Sequence, residues 1–119
     1  MIVLAAILAA ATLLHVSVWP NGQDHGPRRT YTLTCAPAGG TLPHAATACR
    51  RLAGLKKPFA PTPPGTACTQ IYGGPQEALV VGRFRGRPVR ARFNRRNGCE
   101  IARWTRVAFL FPGTIASHK

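Results

Sequence analysis

Carboxylates are scarce in this chain. Asp24, Glu77 and Glu100 are the only three among 119 residues, and they fall in three separate segments. Paired acid–base chemistry needs two such groups facing one another, which this distribution does not favour. Serine is rarer still: Ser17 sits in a β-like run and Ser117 in the terminal tail, and neither has the setting of an activated nucleophile. The four histidines, His15, His25, His44 and His118, lack a His-Glu-x-x-His spacing, and the four cysteines lack a Cys-x-x-Cys. No glycine pattern forms a phosphate loop, and no apolar run reaches the ~20 residues a membrane span needs. The sequence therefore predicts a protein that is not an enzyme, with no metal and no cofactor.

Positive charge is abundant. The formal net charge is +13, carried mostly by arginine and densest at Arg83, Arg85, Arg87, Arg90, Arg92, Arg95 and Arg96. Such an excess suits nucleic acid or an anionic surface, but it also serves solubility and the steering of acidic partners. A solvated basic face is the preferred reading, with no nucleic acid as the main partner. The apolar opening, with Ala9 and Ala11 at an Ala-x-Ala site, reads as a signal segment over 1–11. It lacks the basic residues that normally begin one, so the expectation is a truncated signal. Export leads to a secreted, extracellular protein without a membrane span in its mature form, in which cysteines pair.

The body of the chain predicts one domain over 12–112, followed by a flexible tail over 113–119. Leu13–Trp19 alternates in hydropathy and reads as a strand ended by Pro20-Asn21-Gly22. Thr30–Cys35 is a second strand. Thr41 is placed to cap a helix with Pro43 in its first turn and Ala45, Cys49, Leu52 and Ala53 on one face. Ala78–Phe84 and Pro88–Phe93 predict a hairpin about Arg85-Gly86-Arg87. Asn97-Gly98-Cys99 reads as a turn and Val107–Phe111 as a last strand. The fold class is α+β: a five-stranded antiparallel sheet with one main helix, and room for a short second one, packed on one face.

Four cysteines permit three pairings. The local scheme, Cys35–Cys49 with Cys68–Cys99, fits this layout best. Cys68 also ends a proline-dense approach, Pro58-Phe59-Ala60-Pro61-Thr62-Pro63-Pro64-Gly65-Thr66-Ala67, and begins Cys68-Thr69-Gln70-Ile71-Tyr72-Gly73-Gly74-Pro75. Proline fixes φ and cannot feed a sheet ladder, so this segment predicts a stiff, extended, exposed loop. Tied at a disulfide, such a loop has the properties of a peptide that a protease binds tightly and cuts badly.

At these residues the chain resembles the Streptomyces subtilisin inhibitor family. The resemblance rests on Thr32-Leu33-Thr34-Cys35-Ala36-Pro37, Ala48-Cys49, Cys68-Thr69-Gln70-Ile71-Tyr72 and Asn97-Gly98-Cys99-Glu100, and it spans roughly Leu13 to Phe111. It implies the five-stranded sheet with helices on one side and the same two disulfides. It implies a protease-binding loop of Ala67, Cys68, Thr69, Gln70, Ile71 and Tyr72, with Gln70 as the specificity residue and Gln70–Ile71 as the reactive bond. It implies that Asn97 braces the loop from behind, and that the protein is a homodimer through its sheet. Two departures stand out. The family often has Met or Lys where Gln70 stands, and Gly73-Gly74-Pro75 replaces the Asp-Pro that follows the tyrosine in some relatives.

The function expected is thus inhibition of serine proteases, subtilisin-like ones first, with chymotrypsin-like ones as further targets and trypsin blocked poorly. The alternative is a secreted cationic protein that holds nucleic acid or an anionic cell-wall polymer on its arginine-rich face.

Overall fold

The computed structural model describes residues 11–114. The signal segment expected over 1–11 lies, but for Ala11, outside the described residues, as do the last five residues of the tail.

Alternation of apolar and polar side chains builds four strands: β1 (Thr12–Trp19), β2 (Arg29–Cys35), β3 (Glu77–Phe84) and β4 (Arg87–Phe93). They form one antiparallel sheet in the order β2-β1-β3-β4. β1 lies inside the sheet because its Leu14, Val16 and Val18 are the most regular apolar series in the chain, and all three are fully buried. The register sets Val16 between Tyr31 of β2 and Val80 of β3, with Ala91 of β4 beyond Val80. A slip of one residue would turn that whole row to solvent, so the pattern specifies the pairing.

Two helices cover the inner face, α1 (Ala45–Ala53) and α2 (Gly98–Arg106), each nine residues long. α1 buries Ala48 and Leu52, and the Cys35–Cys49 disulfide pins it to the end of β2 with 5.7 Å between Cα atoms. α2 buries Trp104 and most of Arg103. Trp104 meets Phe111 with 4.6 Å between ring centroids, and Phe111 meets Phe93 of β4 at 5.3 Å. The hairpin between β3 and β4 turns on Arg85 and Gly86, with φ of 53° and 81°. These are the two left-handed residues a two-residue hairpin of matching twist requires. Arg85 adopts this costly conformation under several restraints. Its N–H donates to Thr12 Oγ1 at 3.1 Å, and its guanidinium donates to the carbonyls of Leu52 and Ala53 at 3.1 and 3.3 Å. A cation there also suits the carboxyl end of α1.

Four sequence expectations are corrected. Among the described residues the sheet has four strands, not five. Val107–Phe111 is not a strand: Ala108–Leu110 is a turn of 3-10 helix that carries on from α2 and buries Val107, Leu110 and Phe111. Those positions follow Trp104 at helical spacing, and a short apolar run does not by itself distinguish helix from strand. Asn97-Gly98-Cys99 is not an isolated turn but the start of α2, so the described residues hold two equal helices rather than one main one. Finally, Thr41 does not cap α1. The residue before the helix is His44, in the left-handed region at φ 57° and without a side-chain cap. The Thr41 hydroxyl accepts from the N–H of Thr32 at 2.9 Å, fastening the 41–44 segment to β2 instead. At the far end the chain stays packed as far as Thr114. Its hydroxyl donates to Phe111 O at 2.7 Å, and its carbonyl accepts from Gln76 at 3.1 Å.

Candidate functional site

The segment from Ala67 to Tyr72 crosses open surface without joining a helix or strand. Its side chains are exposed except for half-buried Cys68; Ile71 is 62 % and Tyr72 65 % exposed, although both are large and apolar in character. Gln70 is exposed and hydrogen-bonds to no neighbouring element. Its amide donates only to the carbonyl of Cys68, at 3.4 Å.

What fixes the loop is the stretch Arg95–Cys99, which enters α2. Upstream of the Gln70–Ile71 bond, the Cys68–Cys99 disulfide joins loop to helix with 5.3 Å between Cα atoms, and Gly98 N–H donates to Thr69 O at 3.0 Å. Downstream, Gly73 N–H donates to Arg95 O at 2.7 Å and Arg95 Nε donates back to Gly73 O at 3.0 Å. The exposed peptide bond is thus bracketed on both sides by attachments to one five-residue stretch.

Two glycines make these attachments possible. A Cβ on Gly98 would run into the Thr69 side chain, so the backbones could not come within hydrogen-bond distance. A Cβ on Gly73 would stand 2.8 and 2.9 Å from Ile101 side-chain atoms and 3.2 Å from the Cβ of Arg95. Asn97, expected to brace the loop directly, has a different recorded contact: its side chain accepts from Glu100 N–H at 3.0 Å as the N-cap of α2. That cap lies at the start of the helix whose first residues are Gly98 and Cys99.

The proline-rich approach is anchored separately. Arg103, 8 % exposed, donates to Ala60 O at 2.9 Å, to Arg92 O at 3.0 Å and to Glu100 at 2.8 Å, and its guanidinium lies 4.4 Å from the Phe93 ring centroid. The second oxygen of Glu100 accepts from Thr62 Oγ1 at 3.0 Å. One largely buried ion pair thereby ties both the 58–66 segment and β4 to α2. Burying an arginine is tolerated because nearly every charge-bearing group finds a partner.

Sequence reasoning gave Gly73, Gly98 and Arg95 no part in holding the loop and did not single out Arg103. Asn97 with Glu100 three residues later is a helix-start signature that could have located α2 and so the brace. Nothing in the sequence marks Arg103 as buried among so many exposed arginines. On the downstream side, Tyr72 borders a polar cleft of about 220 Å³ with Asn21, Asp24, His25, Gln76 and Arg96. Among the described residues no three His, Cys, Asp or Glu side chains converge to hold a metal ion, and no helix is long and apolar enough to cross a membrane.

Comparison with known proteins agrees with this architecture. The family model described as subtilisin inhibitor-like matches residues 9–97. The fold is similar to that in the crystal structure of Streptomyces caespitosus sermetstatin in complex with Bacillus licheniformis subtilisin. That likeness has a TM-score of 0.54 and 23 % identity over 86 % of this chain and 98 % of that one, a similarity of fold. No curated protein sequence gives a significant match. With three quarters of its length matched by the family model and the same fold in a solved inhibitor, the chain belongs to the subtilisin inhibitor-like family, whose members are protease inhibitors and not enzymes.

Proposed function

We propose that the protein inhibits subtilisin-like serine proteases by presenting Ala67–Tyr72 as a substrate-like strand, with Gln70–Ile71 as the bond offered for attack. The observation that carries this reading is the double attachment. Thr69 and Gly73, which flank that bond, are both hydrogen-bonded to the Arg95–Gly98 stretch.

Main-chain hydrogen bonds to the protease cleft supply affinity, and alternate side chains enter its pockets. A loop already held in shape loses little further entropy on binding, which is how interfaces of about 1,600 Å² become very tight. When the protease serine attacks the carbonyl of Gln70, its Oγ–C bond forms as the C–N bond to Ile71 breaks, and the departing nitrogen takes a proton. In a free peptide that amine diffuses away. Here the downstream end is held at Gly73 and the upstream end at Cys68 and Thr69. The amine stays beside the acyl carbon, and attack by the amine returns the peptide bond and the serine.

Gln70 sets the choice of target. A trypsin pocket carries an aspartate that requires Lys or Arg, and a neutral amide does not satisfy it. An apolar chymotrypsin slot must strip water from the amide. A broad subtilisin pocket accommodates it at least cost. The same reading makes the protein a secreted one and a homodimer through the outer sheet face, where Leu79 and Val81 of β3 stand opposite Ser17 and His15 of β1.

The test is titration of the purified protein against subtilisin and trypsin, with mass analysis of the incubated inhibitor. The expected result is stoichiometric block of subtilisin with slow, partial cleavage at Gln70–Ile71 only, and little effect on trypsin until Gln70→Lys is introduced. Rapid digestion without inhibition would overturn the reading.

A further inference from the structure

Charge is segregated along the β3–β4 hairpin. At one end β3 begins at Glu77 and β4 ends at Phe93, beside the loop attachments at Gly73 and Arg95. The three carboxylate side chains of the chain all belong to that end. Asp24 and Glu77 line the cleft next to Tyr72, and Glu100 lies in the first turn of α2 beside Cys99. The other end of the hairpin is about 24 Å away, the strand rise over the length of β3. Its charged groups are all cations.

There Lys56, Lys57, Phe84, Arg85 and Arg87 line a cleft of about 350 Å³. The two lysines follow the carboxyl end of α1, and the other three residues come from the hairpin turn and its flanks. Phe84 and Arg87 pair directly, and strand alternation puts both on the side of the buried Val80, Ala91 and Phe93. The cleft therefore belongs to the helix side of the sheet, away from the outer face assigned to the homodimer. Arg85 is its fixed wall. Its guanidinium donates to Leu52 O and Ala53 O through Nη2 and lies 4.4 Å from the Phe84 ring centroid. Phe84 in turn meets Phe59 edge to face at 5.3 Å.

Among the described residues, the ion pairs are Arg96–Glu77 and Arg103–Glu100, and neither reaches this cleft. The side chains of Lys56, Lys57 and Arg87, with Nε and Nη1 of Arg85, have no hydrogen-bond partner among those residues. Four cations around one cavity raise its potential together, so an anion that enters is stabilised by all of them. A guanidinium fork grips phosphate oxygens two at a time, and an ammonium adds a point charge. A single phosphate carries about two negative charges and answers only part of this set. Linked phosphates answer the whole of it. Phe84, already flanked by Arg85 and Phe59, offers no platform for stacking a base.

We propose that Lys56, Lys57, Arg85 and Arg87 form a binding site for linked phosphates, two or more phosphoryl groups in a chain, free or as the terminal part of a nucleotide. The site stands at the far end of the hairpin from Ala67–Tyr72, so its occupant leaves that loop open. The proposal does not rest on the inhibitory reading, because its test reads binding alone.

The experiment is calorimetric titration with tripolyphosphate, ATP and orthophosphate in metal-free buffer of low ionic strength. Wild type is compared with Lys56→Gln, Lys57→Gln and Arg87→Gln combined, which spares Arg85 and its bonds to α1. The control combines Arg28→Gln, Arg50→Gln and Arg106→Gln, removing the same charge from exposed positions that do not line the cleft. Wild type should bind one tripolyphosphate per chain, ATP about equally well, and orthophosphate about tenfold more weakly or worse. The cleft variant should lose about 30-fold in affinity for tripolyphosphate, as three charge-assisted contacts go, and the control less than about threefold. Thermal melts matching wild type establish that both variants are folded. Equal losses in the two variants would mean diffuse attraction and overturn the site, as would wild type failing to bind tripolyphosphate. Orthophosphate binding as tightly as tripolyphosphate would overturn the requirement for linked phosphates. ATP binding far more tightly than tripolyphosphate would mean that the nucleoside is read, and duplex DNA displacing tripolyphosphate at equal phosphate would mean a polymer site; either overturns the assignment.

Discussion

The two disulfides do different work in the same small fold. Cys35–Cys49 spans 14 residues and joins β2 to α1, two elements that also share the core through Leu33, Ala48 and Leu52. Cys68–Cys99 spans 31 residues and joins a helix to a loop that buries almost nothing. The first reinforces a contact that packing already favours. The second substitutes for packing that the loop, being exposed, does not have. A segment can be both accessible and rigid only if its restraints are covalent bonds and hydrogen bonds on its inner edge, and that is where they lie here.

Removing each bond separately sharpens this contrast. In the chain-entropy model the 31-residue closure is worth about 4 kcal/mol and the 14-residue one about 3 kcal/mol, so both Cys→Ser pairs should melt earlier by comparable amounts. Their effects on inhibition should differ sharply. Cys35→Ser with Cys49→Ser should leave stoichiometric inhibition of subtilisin at temperatures where the protein is folded. Cys68→Ser with Cys99→Ser should turn the protein into a substrate, read as its turnover by mass analysis. Equal retention of inhibition would break the comparison.

Arg103→Met comes next. It removes hydrogen bonds to Ala60, Arg92 and Glu100 and leaves Glu100 without its cation. Breaking a buried pair in this way costs about 3 kcal/mol, visible in the denaturation midpoint, and should open the 58–66 approach to proteolytic trimming. Gly98→Ala should cost about 1–3 kcal/mol of complex stability, a rise in inhibition constant of roughly 5- to 150-fold, because the loop must lift from α2 to admit the methyl. Its thermal midpoint should move less than that of Arg103→Met, since the loop adds little to the core. Glu77→Gln is the smallest change. Its partner Arg96 is 67 % exposed, and the loss should stay below about 1 kcal/mol with inhibition unchanged.

The strands were legible in the sequence because alternation is a local signal: Leu14-Val16-Val18 against His15-Ser17 has no second interpretation. The proline-dense run predicted an exposed extended segment for an equally local reason. α2 was missed although Asn97 and Glu100 announce it, since the Asn-Gly pair also announces a turn and the apolar residues of 101–111 suit either periodicity. The brace itself was illegible in kind. Gly73 and Gly98 matter because of what stands opposite them in space, Ile101 and Thr69, and no pattern along the chain encodes that juxtaposition. Arg103 was hidden for a related reason: composition does not tell which of many arginines folds inward.

The Gln70 side chain is exposed and hydrogen-bonds only to the carbonyl of Cys68 two residues before it. The side chain that would select the target protease therefore contributes almost nothing to folding, and almost any replacement should be neutral for stability. A lineage bearing this scaffold could exchange that residue freely as the proteases around it changed, keeping the same helix, disulfide and glycines beneath. Adaptation at this site would be decoupled from the need to remain folded, a freedom that few positions in a molecule this small possess.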